Sequence, residues 1–168
     1  CQNISEIECP SFSKEVHHEI ELAIIIGKTG KNIKEQAAHN YIAGAAVALD
    51  LTLRDIQSEA KNNGTPWTIA KGFDLACPIS PVYKITDLDK LSNIDLFLEK
   101  NGELVQQGNT NQMIFSISYL ISYISTFFTI NPGDIILTGT PHGVGPIKKG
   151  DSISFWSDFS NRNNIYFS

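Results

Sequence analysis

Glu19 and Glu21 stand two residues apart in the run His17-His18-Glu19-Ile20-Glu21-Leu22-Ala23-Ile24-Ile25-Ile26-Gly27. From Ile20 onward the run is β-branched and aliphatic and stops at a glycine, so it reads as a strand. Side chains alternate faces along a strand, which puts His17, Glu19 and Glu21 on one side and His18, Ile20 and Leu22 on the other. Two carboxylates this close on a strand that enters a core repel each other, and a hard divalent cation held by their oxygens removes the repulsion. The competing reading is a solvated face with two ordinary glutamates.

Other side chains offer chemistry farther along. Asp50 ends the run Gly44-Ala45-Ala46-Val47-Ala48-Leu49-Asp50-Leu51, whose alternation sets Ala46, Ala48 and Asp50 on one face and Val47, Leu49 and Leu51 on the other. The small alanines leave room beside that carboxylate. Arg54 and Gln57 are three apart on a segment of helical periodicity. They either face one ligand with a cationic fork and an amide, or belong to a surface helix laced by Arg54, Asp55 and Glu59. Lys71 continues the apolar face of Trp67 and Ile69 on an expected strand, where it snorkels to solvent or is aimed at an anion. Thr138-Gly139-Thr140-Pro141-His142-Gly143-Val144-Gly145-Pro146 offers backbone N–H groups and two hydroxyls, either as a plain turn or as a site loop. It matches neither the dinucleotide nor the P-loop glycine pattern.

The elements that must position these groups are an alternation of strands and short helices. After the first strand, Asn32 and Glu35 have the offset of a capping box for a helix to about Tyr41. Thr52 to Asn63 reads as a helix stopped by Gly64. Phe73 to Pro81 reads as a loop, and Ile94 to Lys100, Asn101-Gly102 and Glu103 to Gln107 as a hairpin. Ile117, Leu120, Ile121, Ile124 and Phe128 have the spacing of a packed helix. Pro132-Gly133-Asp134 turns into the strand Ile135 to Leu137, and Ser152 to Trp156 and Ile165 to Phe167 close the chain as strands. Residues Cys1 to Glu15 read as a leading loop or a short strand.

With 168 residues and a formal net charge of -5, the chain fits one domain and carries no basic footprint, so nucleic acid is not expected as a partner. The apolar run Ile114 to Ile130 is broken by polar residues and is shorter than the ~20 residues of a membrane span, which assigns it to a core or a subunit contact. Cys1, Cys9 and Cys77 are odd in number and lack metal-knuckle spacing, so reduced thiols in an intracellular setting, cytosol or mitochondrial matrix, are expected. The sequence begins at Cys1 without an initiator Met, as a processed or trimmed piece does, and targeting information is expected to have gone with the missing part.

Taken together, these residues resemble the fumarylacetoacetate hydrolase family, and within it most the acylpyruvate hydrolase and oxaloacetate decarboxylase branch. The resemblance is carried in order by His17-His18-Glu19-Ile20-Glu21-Leu22, by Leu49-Asp50-Leu51-Thr52-Leu53-Arg54-Asp55-Ile56-Gln57 and by Pro66-Trp67-Thr68-Ile69-Ala70-Lys71. It continues through Asn101-Gly102-Glu103, Met113-Ile114-Phe115-Ser116 and the segment from Gly133 to Gly145. It implies an α+β, mostly β fold, a mixed β-roll or β-sandwich with short flanking helices, forming a single catalytic domain over residues 1–168 that lacks an N-terminal lid segment. It further implies a Mg²⁺ site, open also to Mn²⁺, made by Glu19, Glu21 and Asp50, a catalytic Lys71, a substrate pocket with Arg54, Gln57, Lys71 and Thr140, and a homodimer.

The implied substrate is a small 2-oxo acid, an acylpyruvate or oxaloacetate, with oxalate as an inhibitor. Three carboxylates leave vacant corners on an octahedral ion, and a 2-oxo acid fills two of them. Cleavage of the adjacent C–C bond then yields pyruvate enolate, whose charge the ion and Lys71 stabilise, while Arg54 and Gln57 orient the substrate and Thr140 contacts its oxygens. The branch's water-activating His and Glu lie on a short helix upstream of the metal strand, and the sixteen residues before His17 contain no histidine. Either that part is missing here or the chain lacks the hydrolytic half of the chemistry. An oxaloacetate keto–enol tautomerase and a silent dimeric protein that binds metal or dicarboxylate are therefore the alternatives. His17 is left with a supporting role behind the ligands. His142 reads as a site-rim residue or an exposed turn histidine, and His39 as structural.

Overall fold

The computed structural model describes residues 4–85 and 88–168. Strands come first: β1 (Glu6–Ile7), β2 (Val16–His18), β3 (Ile20–Ile26), β4 (Ile42–Leu49) and β5 (Thr52–Leu53). Helices α1 (Arg54–Asn63) and α2 (Thr68–Lys71) follow, then the hairpin β6 (Asp95–Lys100) and β7 (Glu103–Asn109) and helix α3 (Ile117–Phe127). Strands β8 (Ile135–Leu137), β9 (Gly145–Ile147), β10 (Ser152–Ser157) and β11 (Asn163–Phe167) complete the order. The fold is α+β and mostly β, as the resemblance implied.

The strands form a five-stranded sheet in the order β1-β11-β10-β6-β7 and two three-stranded sheets, β5-β2-β9 and β4-β3-β8. Among the described residues only the β1–β11 pairing is parallel, so the large sheet is mixed. The inward residues of β3 (Ile20, Leu22, Ile24, Ile26) meet those of β6, β10 and β11 (Leu98, Phe155, Phe167) in one core. Truncating a buried leucine such as Leu22 to alanine in this core costs ~2–5 kcal/mol. The opposite face of β3 and β4 is lined by Ala23, Ala46 and Ala48 under Ile79. Within β3 and β4 the alternation read from the sequence is therefore the observed one, and it holds Glu21 on the alanine side.

The hairpin turns through Asn101 and Gly102 at φ of 54° and 82°, the left-handed pair that such a two-residue turn requires. Gly64 ends α1 in the left-handed conformation at φ 64°. Neither Cys9 nor Cys77 is in a disulfide, and Cys1 lies outside the described residues. Among the described residues no helix is long and apolar enough to cross a membrane.

Five expectations need correction. The run from His17 to Gly27 is two strands, β2 and β3, broken at Glu19, because β2 pairs with β5 and β9 while β3 pairs with β4 and β8. Thr52 and Leu53 pair with β2 and do not open the helix. Asn32 adopts φ 51° and caps nothing; the segment Glu35–Tyr41 is a 3₁₀ helix entered at Lys34 without a side-chain cap, and Glu35 accepts instead from the Ser116 hydroxyl.

Trp67 to Lys71 is helical, not extended. β-Propensity expresses fit to a pleated, half-covered surface; the segment lies beside the edge strand β5 without joining its ladder, and the chain closes on itself through Lys71 N–H to Trp67 C=O and Gly72 N–H to Thr68 C=O. Trp67 and Ile69 are left exposed. Phe128 lies past the end of α3 and is 68% exposed, while Ile121 carries the helix packing.

Candidate metal and substrate site

The site forms where three elements end close together. The Asp50 N–H donates to the Glu19 carbonyl at 2.8 Å, so the step out of β4 lies beside the gap between β2 and β3. Glu21 pairs in register with Ala48, whose lack of bulk leaves the carboxylates clear. Carboxylate oxygens of Glu19, Glu21 and Asp50 lie within 4.8 Å of one another. Glu19 and Glu21 are buried and Asp50 half-buried.

Two cations close over this acidic cluster. Lys71 Nζ donates to Glu19 Oε2 at 2.8 Å and to Asp50 Oδ2 at 2.6 Å. Arg54 Nη2 donates to Glu19 Oε1, Nη1 donates to Gln57 Oε1 at 2.6 Å, and Nε reaches His17 Nδ1 at 3.3 Å. His17 Nε2 in turn meets Glu15 Oε1 at 3.0 Å. Since Arg54 can only donate, His17 Nδ1 accepts and Nε2 carries the hydrogen toward Glu15. Arg54 is thus gripped on three sides, which removes the freedom of an exposed arginine.

The electrostatics follow from burial and these contacts. Burial pushes the Glu19 carboxyl upward, but the hydrogen bonds from Lys71 and Arg54 outweigh it and hold the group below its ordinary range. Glu21 lacks such a cationic partner. Burial raises it to about 7, and the negative charges of Asp50 and Glu19 push the same way against the Gly139 N–H. Burial likewise raises Asp50, in spite of its bond from Lys71. Burial draws Lys71 down, and the bonds to Asp50 and Glu19 more than restore it. The cluster therefore holds more carboxylate than two side-chain cations neutralise, and its donors are all hard oxygens. Both properties fit a Mg²⁺- or Mn²⁺-sized ion.

The glycine-rich loop forms the fourth wall. Gly139 N–H donates to Glu21 Oε2 at 2.6 Å, with Gly139 at φ 99°. Thr138 Oγ1 bonds the Leu22 carbonyl at 2.9 Å, and Thr140 is half-buried. Glu19, Glu21, Asp50, Arg54, Gln57 and Lys71 are thus joined in this cluster, and Thr140 follows Gly139 in the loop whose N–H reaches Glu21. His142 is exposed, and so is His39.

The supporting role read for His17 is a brace on Arg54, and the backbone N–H read for the glycine loop is that of Gly139 on Glu21. Sequence reasoning missed two contributors. Glu15, just before β2, holds His17. The second is Gln106, 1% exposed, which reads as a surface amide of a hairpin until the tertiary structure covers it.

The comparisons agree with this architecture. The family model described as fumarylacetoacetate (FAA) hydrolase C-terminal matches residues 2–163. The chain belongs to the fumarylacetoacetate hydrolase family. It is 50% identical over 152 residues to the human protein named oxaloacetate tautomerase FAHD1, mitochondrial, covering 89% of this chain and 67% of that one. It is 48% identical over 152 residues to the oxaloacetate decarboxylase, mitochondrial, of Dictyostelium discoideum, covering 90% and 70%. The crystal structure of fumarylpyruvate hydrolase from Pseudomonas aeruginosa in complex with Mn²⁺ and pyruvate superposes with a TM-score of 0.93 at 35% identity, covering 98% and 70%. The chain therefore spans about two thirds of the length of these relatives.

Proposed function

We propose that this chain uses Mg²⁺ or Mn²⁺, held by Glu19, Glu21 and Asp50, to cleave a C–C bond next to a pyruvoyl group, as an acylpyruvate hydrolase or an oxaloacetate decarboxylase. The observation that carries this reading is the meeting of three carboxylates within 4.8 Å under the Lys71 ammonium and the braced Arg54 guanidinium. Support comes also from relatives named for oxaloacetate chemistry and from a structural neighbour crystallised with Mn²⁺ and pyruvate.

When bound, the ion supplies a Lewis acid for the carboxylate and keto oxygens of a 2-oxo acid. The remaining work falls to side chains. Lys71 provides a fixed positive charge beside the acids, where negative charge develops on the pyruvoyl oxygen as the C–C bond breaks. Arg54, locked by Gln57, His17 and Glu19, orients the substrate together with the Gln57 amide. Thr140 presents a hydroxyl from the glycine loop. Residues 1–168 act as one catalytic unit, and oxalate competes with the 2-oxo acid. The exposed row of Phe115, just before α3, stacked on Tyr119, itself stacked on Tyr123, suits burial in a homodimer, and the working compartment is the cytosol or the mitochondrion.

A second reading, keto–enol exchange of oxaloacetate, is favoured by the names of several relatives and makes no demand on a water-activating base. One experiment separates the readings. Oxaloacetate and acetylpyruvate are each supplied with Mg²⁺, and pyruvate formation is followed beside the decay of the enol absorbance. C–C cleavage predicts pyruvate release that disappears with chelator and in Glu21→Ala; release indifferent to both removes the proposal. Enol decay faster than any pyruvate formation selects the tautomerase, and tight oxalate binding without turnover selects a silent binding protein.

A further inference from the structure

The buried amide of Gln106 is not used by any of the chemistry above, yet it touches both halves of the site. Its Oε1 accepts the Ile20 N–H at 3.2 Å and lies 2.8 Å from His18 Nδ1. Its Nε2 donates to Thr140 Oγ1 at 3.0 Å and to the Pro141 carbonyl at 3.1 Å. The two backbone partners have unambiguous roles: an N–H must face the amide oxygen and a C=O must face the amide nitrogen. The amide therefore cannot flip.

Two consequences follow from that fixed orientation. His18 Nδ1 faces an acceptor and so carries its ring hydrogen there. Thr140 Oγ1 faces a donor and so accepts, which turns its own hydroxyl hydrogen away from Gln106. The loop has no slack to undo this. A Cβ on Gly143 would meet the Val105 carbonyl oxygen at 2.3 Å, one on Gly145 would meet His18 Nε2 at 3.3 Å, and one on Gly108 would meet Pro141 Cβ at 2.5 Å. Backbone and ring approach closely at each of these glycines, so the loop lies directly on β7 and β2.

We infer that Gln106 is a positioning residue that makes Thr140 a hydrogen-bond donor toward the substrate's anionic oxygens and sets the distance from that donor to the Glu19–Glu21 strand. The inference rests on the site reading above and assigns Thr140 the donor's role, not the acceptor's. An amide at position 106 fixes that polarity, and a carboxylate of the same shape reverses it. In Gln106→Glu one oxygen keeps the Ile20 and His18 contacts, while the other faces Thr140 as an acceptor and captures the hydroxyl hydrogen.

The test uses the whole chain with Mn²⁺ and oxalate as probes. Mn²⁺ affinity is read by electron paramagnetic resonance and oxalate affinity at saturating Mn²⁺ by calorimetry. Gln106→Glu weakens oxalate at least tenfold with Mn²⁺ affinity within threefold, and Gln106→Glu/Thr140→Ala binds oxalate as Thr140→Ala alone does. Effects that multiply in the double variant overturn the inference, as does a loss of Mn²⁺ affinity equal to that of oxalate. If Gln106→Glu does not fold, Gln106→Met takes its place, with at least threefold weaker oxalate binding expected and a wild-type constant overturning the idea. An unmodified protein that binds neither probe overturns the site reading itself, and this inference falls with it.

Discussion

Lys71 Nζ donates to Asp50 Oδ2 at 2.6 Å, joining a four-residue helix to the end of a strand that lies on another sheet. The same ammonium reaches Glu19 at 2.8 Å. It therefore sits where a metal ion would compete for the same two carboxylates, and where charge from a breaking C–C bond would collect.

Lys71→Met separates these two roles. Removing the ammonium frees Glu19 and Asp50 for the ion, so Mn²⁺ affinity holds or rises. Turnover of oxaloacetate drops by roughly a hundredfold to a thousandfold, the cost of losing one fixed charge that stabilises a transition state. Titration with Mn²⁺ beside kcat for pyruvate release checks both halves, and an active Lys71→Met protein would show that the charge is not used.

Glu21 makes the metal-free fold sensitive to pH. Its carboxyl is raised from 4.5 to about 7, so between those values the folded state binds more protons than the unfolded state and unfolding free energy falls as pH rises. The loss reaches about 3 kcal/mol above pH 7. Denaturant melts of the unmodified protein and Glu21→Gln in chelator should diverge across this window, with the glutamine variant flat by comparison. Mg²⁺ should restore the lost stability at neutral pH, since it binds the ionised carboxylate.

Arg54→Lys tests the brace. A lysine has one nitrogen where Arg54 uses three to meet Glu19, Gln57 and His17, so its head moves between partners and the Gln57 amide is released. We expect KM for the 2-oxo acid to rise about tenfold with kcat within a few-fold, the pattern of lost orientation in binding.

Gly139→Ala tests the loop. At φ 99° a Cβ is strained by ~1–3 kcal/mol, and relief of that strain moves the N–H away from Glu21. Lower thermal stability should come with weaker Mn²⁺ binding, whereas Gly102→Ala, strained at the far end of the hairpin, should lower stability alone.

The sequence by itself determined the local alternations and what they carry. The aliphatic run of β3 buries Ile20, Leu22 and Ile24 whatever it packs against, and a period of two then forces Glu21 to the other side, while Glu19 is placed by the break between β2 and β3. The Asn101-Gly102 turn and the Gly64 stop were legible because each needs a left-handed backbone that few residues adopt. The resemblance to a family supplied Asp50, Arg54, Lys71 and Thr140 as partners of those acids, since no spacing along the chain brings residues this far apart together.

Only the tertiary structure decided the rest. Trp67 to Lys71 closes its backbone hydrogen bonds locally and does not join the ladder of the neighbouring β5, so a helix delivers Lys71 to Asp50. Gln106 has the composition of a surface amide and becomes a buried clamp because the glycine loop folds across β7. Side-chain periodicity is a property of a few neighbouring residues, whereas hydrogen-bond satisfaction of a buried group is set by segments dozens of residues away. That is why the acids were visible in the chain and the groups that orient them were not.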